Sequence, residues 1–215
     1  MSATARTTLD HLVVAADTLE RGEDHLESLL GVRPRRGGKH VAMGTHNSLV
    51  RLGTRSYLEL IAIDPDAASP VRARWFELDR PAMRSLLAQQ PRLVHWVARC
   101  DDIEAARRRC PIDPGPVQAM AREGFRWRIT IPGDGRLPGG GLVPTLIQWD
   151  DTRHPSDDLP ESGVRIAALA GAHPEPASIR AALAALGLGD ELKVSFAGAP
   201  RLAAFLSTRR GRIAL

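Results

Sequence analysis

Two histidines occupy matching places in two similar apolar segments of this chain of 215 residues. The segments read LDHLVVA at 9–15 and LVHWVAR at 93–99, so His11 and His95 each take the third position. An acidic helix start follows each segment, which indicates that a strand–helix unit is repeated. Imidazoles at repeat-matched positions are candidate metal ligands or acid–base groups.

Each unit also carries a polar side chain late in its sequence. Glu59 shares a strand face with apolar neighbours, where a buried carboxylate needs a partner or a metal. Gln148 follows His95 at nearly the spacing that separates Glu59 from His11, after a longer glycine-rich loop. Two imidazoles, a carboxylate and an amide oxygen suit Fe(II), Mn(II), Ni(II), Co(II) or Zn(II). We therefore predict a divalent metal site.

The elements that must position these side chains form an α+β fold. We predict two βαβββ modules, at 5–63 and 92–150, which pair around a pseudo-two-fold axis into one curved, mixed sheet. A linker with a short helix covers 64–91, and a loop or lid covers 151–163. A partial third module, a β-α-β extension without ligands, is expected at 164–215.

The composition of the chain indicates which kinds of molecule it is expected to bind. Hydrophobic residues make up 43% and charged residues 25%, a normal globular balance without a membrane-spanning run. Acids separate the basic runs from one another and no aromatic residues interleave with them, so nucleic acid is not expected. A net charge of +4 suits a small anionic ligand. Two cysteines, Cys100 and Cys110, favour a reducing, cytoplasmic location. A homodimer remains open.

Five segments together resemble a known superfamily. They are LDHLVV at 9–14, GTHN at 44–47, YLELIAID at 57–64, LVHWVA at 93–98 and LIQWD at 146–150. This pattern is similar to the vicinal oxygen chelate superfamily and closest to its glyoxalase-like branch. The resemblance implies that a cupped sheet holds a metal ion, to which a substrate with neighbouring oxygens binds.

The resemblance also implies residue roles. It assigns metal ligation to His11, Glu59 and His95, and it places Gln148 where the family usually has glutamate. Because a glutamine amide does not titrate in water, Glu59 is the expected catalytic base.

Further side chains are candidates for substrate binding. They are His46, Asn47, Arg126, Arg128, Trp149 and His154. Each has a structural alternative: turn chemistry for Asn47, surface ion pairs for the arginines, and core packing for the tryptophan.

Two functions stay open at this point. The favoured one is a metal-dependent lyase, isomerase or dioxygenase that acts on a small, oxygen-bearing substrate. The substrate is anionic if basic side chains of the protein bind it. The alternative is a metal-free protein that binds or sequesters a small molecule, of the bleomycin-resistance type. Gln148 keeps both open, because a fourth carboxylate would have favoured the enzyme.

Overall fold

Eight strands form one curved, mixed sheet, and four C-terminal strands form a smaller second sheet. These sheets belong to a computed structural model that describes residues 7–122 and 124–215. The predicted start of the first module at residue 5 lies outside the described residues. The α+β class and the paired βαβββ modules are confirmed.

The first module follows the predicted element order. Its elements are β1 (Thr7–Ala15), α1 (Leu19–Leu30), β2 (Arg35–His40), β3 (Thr45–Gly53) and β4 (Ser56–Ile63). Helix α1 begins where the Thr18 hydroxyl accepts a hydrogen bond from the Arg21 backbone N–H, and it ends at Gly31 in the left-handed conformation.

The linker and the second module come next. The linker holds a 3-10 turn at Trp75–Glu77 and helix α2 (Pro81–Gln89). The module consists of β5 (Arg92–Cys100), α3 (Ile103–Arg109), β6 (Val117–Arg122), β7 (Phe125–Thr130) and β8 (Thr145–Trp149). No helix in the described ranges is long and apolar enough to cross a lipid bilayer.

The strand order places the two modules symmetrically. It runs β2-β3-β4-β1-β5-β8-β7-β6, with β1 and β5 antiparallel at the centre. Strong curvature brings the edge strands β2 and β6 into contact, so the sheet nearly closes into a barrel. Helices α1 and α3 and the main apolar core, with Leu12 and Trp96, cover one face, while Val13, Val97 and Trp127 line the concave face, where α2 also packs.

The C-terminal segment has the strand–helix–strands order expected of the partial third module. It contains β9 (Arg165–His173), α4 (Pro176–Ala185), β10 (Leu192–Phe196), β11 (Arg201–Thr208) and β12 (Gly211–Ala214), in the sheet order β10-β9-β11-β12. Its element order repeats that of the modules, but its first strand pairs in parallel with its second strand rather than its last. The segment is therefore a separate sheet, packed through β11 against β5 and through β9 against β3.

Candidate active site

A β-bulge in β1 brings two neighbouring polar side chains together. The pairing of β1 with β5 shifts between Leu9 and His11, so Asp10 is the extra residue. Successive side chains of a regular strand point to opposite faces, whereas here Nδ1 of His11 lies 2.7 Å from Oδ1 of Asp10. Both side chains are buried.

The Asp10 carboxylate is the centre of a buried hydrogen-bond network. Its Oδ2 accepts hydrogen bonds from Nε1 of Trp149 at 3.0 Å and from Nε2 of His154 at 3.2 Å. Burial raises the pKa of Asp10, but hydrogen bonds from His11 and His154 outweigh it and hold the pKa well below its ordinary value. An ionised Asp10 keeps the proton of His11 on Nδ1 and leaves Nε2 directed towards Glu59.

Glu59 faces His11 from β4. Its Oε2 lies 3.7 Å from Nε2 of His11, which is too long for a hydrogen bond. Its Oε1 accepts a hydrogen bond of 2.6 Å from Nδ2 of Asn47. The carboxylate is therefore fixed on one side and free on the side that faces the imidazole.

A cation closes the site at the seam between β2 and β6. Nη1 of Arg122 donates to Oδ1 of Asn47 at 2.9 Å and to Nε2 of His40 at 3.1 Å. Burial lowers the pKa of His40 to about 4, so the ring is neutral and can accept this bond. Within the described residues, the buried Nε of Arg122 has no hydrogen-bond partner.

These groups surround a cavity with about 30 Å³ of free space. Aromatic and aliphatic side chains complete its wall: Tyr57, Trp75, Phe76, Trp127, Ile129, Ile147 and Trp149. The Tyr57 ring stacks on His11 with centroids 4.5 Å apart. A volume of this size holds roughly two water molecules, so the site as it stands suits a small group.

His95 lies outside this group, contrary to the expected cluster. The backbone N–H of Thr145 donates to its Nε2 at 3.0 Å, so the proton lies on Nδ1, which donates to the Gly141 carbonyl at 3.2 Å. Burial lowers the pKa of His95 to about 3. Both ring nitrogens are thus used by the fold, and the Phe76 ring lies beside the imidazole.

The strand register explains why Gln148 also lies outside the group of residues around the cavity. Glu59 pairs with Val13 in the first module, and Thr145 pairs with Val97 at the equivalent place in the second. Gln148 is on the opposite face of β8, where its Oε1 accepts a hydrogen bond from the Ile103 backbone N–H at the start of α3. The structure therefore places Gln148 away from His11 and Glu59.

The donor set does not fit the predicted metal centre. In the ranges 7–122 and 124–215, no three side chains of His, Cys, Asp or Glu converge as a metal site. Of the four predicted ligands only His11 and Glu59 face each other, whereas catalytic metal sites usually offer three protein ligands.

Three predicted substrate-binding residues lie away from the cavity. Arg126 and Arg128 pair with Ala121 and Ala119 and point to the face opposite Trp127, because strand positions alternate. His46 points away from its neighbour Asn47 for the same reason. These assignments need correcting: the arginine at the cavity is Arg122, on β6.

The other predicted residues are in or behind the site. Asn47 and Trp149 line the cavity, and His154 is fully buried behind it, bonded to Asp10. Sequence reasoning missed Asp10 and Arg122, whereas His40, beside the GTHN segment, was a candidate for a role in the pocket and does line the cavity. An aspartate inside an apolar strand was the available signal, since a buried carboxylate needs partners.

The cavity is covered by the linker and not by the predicted lid at 151–163. Trp75 and Phe76 lie in its wall, and Phe76 and Glu77 have φ values of 57° and 58°. Such left-handed conformations are costly for residues other than glycine. The Glu77 backbone N–H donates to the Gly135 carbonyl at 2.8 Å, which ties this cover to the loop before β8.

We expect Gly135→Ala to destabilise the protein by about 2–3 kcal/mol, because the methyl group strains a left-handed residue and meets backbone. Gly135 has φ of +69°, and its added Cβ would lie 2.0 Å from the Arg74 carbonyl oxygen. Gly133→Ala in the same loop is the control, since nothing lies within 4 Å of its Cβ. Equal urea midpoints for the two variants would contradict this account.

The two buried neutral histidines predict a loss of stability in mild acid. The folded protein keeps protons off His40 and His95 down to pKa values of about 4 and 3, whereas an unfolded histidine binds one below about pH 6.5. Stability is therefore complete above that pH and falls by about 1.4 kcal/mol per pH unit for each ring below it. His95→Gln should flatten the decline between pH 6 and 4.5 in denaturation experiments, and His25→Gln should not.

A family model described as a glyoxalase-like domain matches residues 9–187. Among solved structures, a hypothetical protein from Staphylococcus aureus shares 13% identity over 91% of this chain and 88% of its own, with a TM-score of 0.61. Methylmalonyl-CoA epimerase from Mycobacterium tuberculosis shares 21% identity over 69% of this chain and 91% of its own, with a TM-score of 0.40. No curated protein matches. The first structure supports the fold alone.

Proposed function

Since the chain belongs to the glyoxalase-like domain family of the vicinal oxygen chelate superfamily, we propose that it is an enzyme that moves a proton on a small, oxygen-bearing anion. One observation carries this proposal: the Glu59 carboxylate and the His11 imidazole face each other across a buried cavity without bonding. A carboxylate that is held on one oxygen only is arranged to accept a proton from a bound molecule.

Glu59 is the proposed base. It takes a proton from a carbon beside a carbonyl group, and the electron pair left behind forms a carbon–carbon double bond while the carbonyl oxygen becomes negative. Where the carbon that loses its proton also bears a hydroxyl, the hydroxyl proton moves to the former carbonyl oxygen, and Glu59 returns its proton to the former carbonyl carbon. The product is the isomer, so no oxidant or reductant is needed. The Asn47 amide fixes the direction of the carboxylate throughout.

His11 is the proposed partner of Glu59. With its proton held on Nδ1 by Asp10, the ring presents Nε2 as an acceptor towards the cavity. It can take the proton of a substrate hydroxyl and pass it to the former carbonyl oxygen, which has become negative. Asp10 stabilises the imidazolium that forms in between, as a buried carboxylate does beside a general base.

The charge of the cavity supports an anionic substrate. Arg122 is the cation of the lining, and its buried Nε lacks a partner in the described part of the chain. An oxyanion would satisfy this donor and would gain a charge-assisted hydrogen bond. The limited space favours a substrate of few atoms, with larger ones requiring displacement of the Trp75–Phe76 cover.

A divalent metal is common in this family, but no step is assigned to one in this chain. His11 and Glu59 would be the two protein ligands available to such an ion, which would polarise the substrate oxygens. Because two donors hold a metal weakly, we expect exchange activity to survive dialysis against a chelator.

The test is proton exchange in deuterated water. Small 2-hydroxy aldehydes, 2-oxo acids and branched carboxylates of few carbons would be incubated with the protein, and loss of the C–H signal beside the carbonyl would be followed by NMR. We expect exchange with at least one anionic member. If compounds bind saturably but none of them exchanges its proton, the result would instead support the metal-free binding protein.

A reducing compartment completes the proposal. Cys100 and Cys110 are both buried as free thiols, which suits the cytoplasm, where thiols are kept reduced.

A further inference from the structure

A second, larger cavity lies on the other side of β5. It measures about 660 Å³, is partly open to solvent, and is lined by residues of α1, α2, β5 and the C-terminal sheet. This volume falls in the range of small-molecule sites, which runs from about 300 to 1,000 Å³. Its walls are largely aliphatic, with Leu26, Leu29, Met83, Leu86 and Leu202 among them.

Two guanidinium groups belong to this cavity. Arg92 begins β5, and Arg201 begins β11, the strand that packs against β5. Neither side chain makes a hydrogen bond or an ion pair in the ranges that the structure describes, and the Nε of Arg92 is buried. Among the residues that the structure describes, no aspartate or glutamate side chain lines the cavity. By contrast, Arg33 and Arg36 each contact two or more acids.

We infer that this cavity binds an amphipathic anion, with a carboxylate or phosphate head and a short hydrocarbon tail. The planar guanidinium groups match the oxygens of either head, and a buried donor without a partner gains most from such a bond. The aliphatic walls stabilise the tail by removing it from water. The cavity is separate from the central one, so this site does not depend on the proposed isomerase chemistry.

Calorimetric titration of the full chain would use octanoate and octyl phosphate as the probes of the two head groups. Octanol tests the need for charge, and acetate tests the need for a tail. We expect at least one of the anions to bind at one site, and Arg92→Gln and Arg201→Gln each to weaken it roughly tenfold. Arg84→Gln, an exposed change on α2 that does not line the cavity, is the matched control and should bind like the unchanged protein.

Three results would overturn the inference. Octanol that binds as well as octanoate would remove the role of the arginines. Loss of octanoate binding in Arg122→Gln, with both cavity variants unaffected, would place the anion in the central site instead. Failure of both anions to bind would remove the proposed site, and a dimer that Leu86→Asp dissociates in sedimentation experiments would then show that a second copy covers this face.

Discussion

Replacement of Glu59 by glutamine is expected to lower the rate of substrate C–H exchange by about 10³-fold, within the usual range for loss of a general base. The amide is nearly isosteric, and its oxygen can still accept the hydrogen bond from Asn47. What it lacks is the ability to take a proton. The measurement is the NMR exchange rate of the best substrate, with circular dichroism to show that the fold is retained.

A second buried glutamate provides the control. Glu23 on α1 is also buried and accepts a hydrogen bond from the Ser48 hydroxyl, but it lies on the helical face and away from the cavity. Glu23→Gln should alter stability and leave the exchange rate unchanged. If Glu59→Gln keeps full exchange activity, another group is the base and the assignment fails.

The paired modules could be predicted because their signals are local. Two apolar segments with a histidine at the same position, each followed by an acidic helix start, give the same element order in the structure. The motifs also indicated a glyoxalase-like protein, and a glyoxalase-like family model matches residues 9–187. The topology of the C-terminal sheet was not accessible in this way, since the same order of strands and helix allows more than one pairing.

The position of Gln148 shows what local patterns leave out. Strand alternation assigns a face only when the register is known, and a shift of one residue reverses every side chain. The register of β8 cannot be derived from the sequence, because the glycine-rich loop before it has no counterpart of equal length in the first module. Spacing alone therefore predicted Gln148 as the counterpart of Glu59. In the structure, the strand position equivalent to Glu59 is occupied by Thr145. Its backbone N–H donates a hydrogen bond to Nε2 of His95, so this ring nitrogen serves the fold.

Asp10 and Arg122 illustrate the same point from the other side. Regular alternation puts Asp10 on the face opposite His11, and only the bulge in β1 allows their contact. Arg122 reaches Asn47 across the seam between the two edge strands, a contact set by the curvature of the whole sheet. Neither the bulge in β1 nor the curvature of the sheet can be predicted from the periodicity of the sequence.

Asp10→Ala is expected to produce the largest loss of stability, about 3–5 kcal/mol, the usual cost of breaking a buried charge network. The substitution leaves three donors without an acceptor: the buried Nδ1 of His11 and Nε2 of His154, and the half-buried Nε1 of Trp149. Each unsatisfied donor costs about 1–3 kcal/mol, partly relieved where water enters the space left by the carboxylate. Guanidinium denaturation at pH 7 measures the loss.

The pH dependence separates the role of the Asp10 charge from simple loss of packing. The pKa of Asp10 is lower in the folded protein than in the unfolded chain, so its contribution is complete above the ordinary aspartate pKa and declines as the pH falls below it. The stability gap between the unchanged protein and Asp10→Ala should therefore be largest near neutral pH and should narrow towards pH 3. Asp17→Ala, at an exposed ion pair with Arg21, should cost less than about 1 kcal/mol. A gap that is the same at every pH would mean that Asp10 acts through packing, and that its carboxylate does not hold the proton of His11 in place.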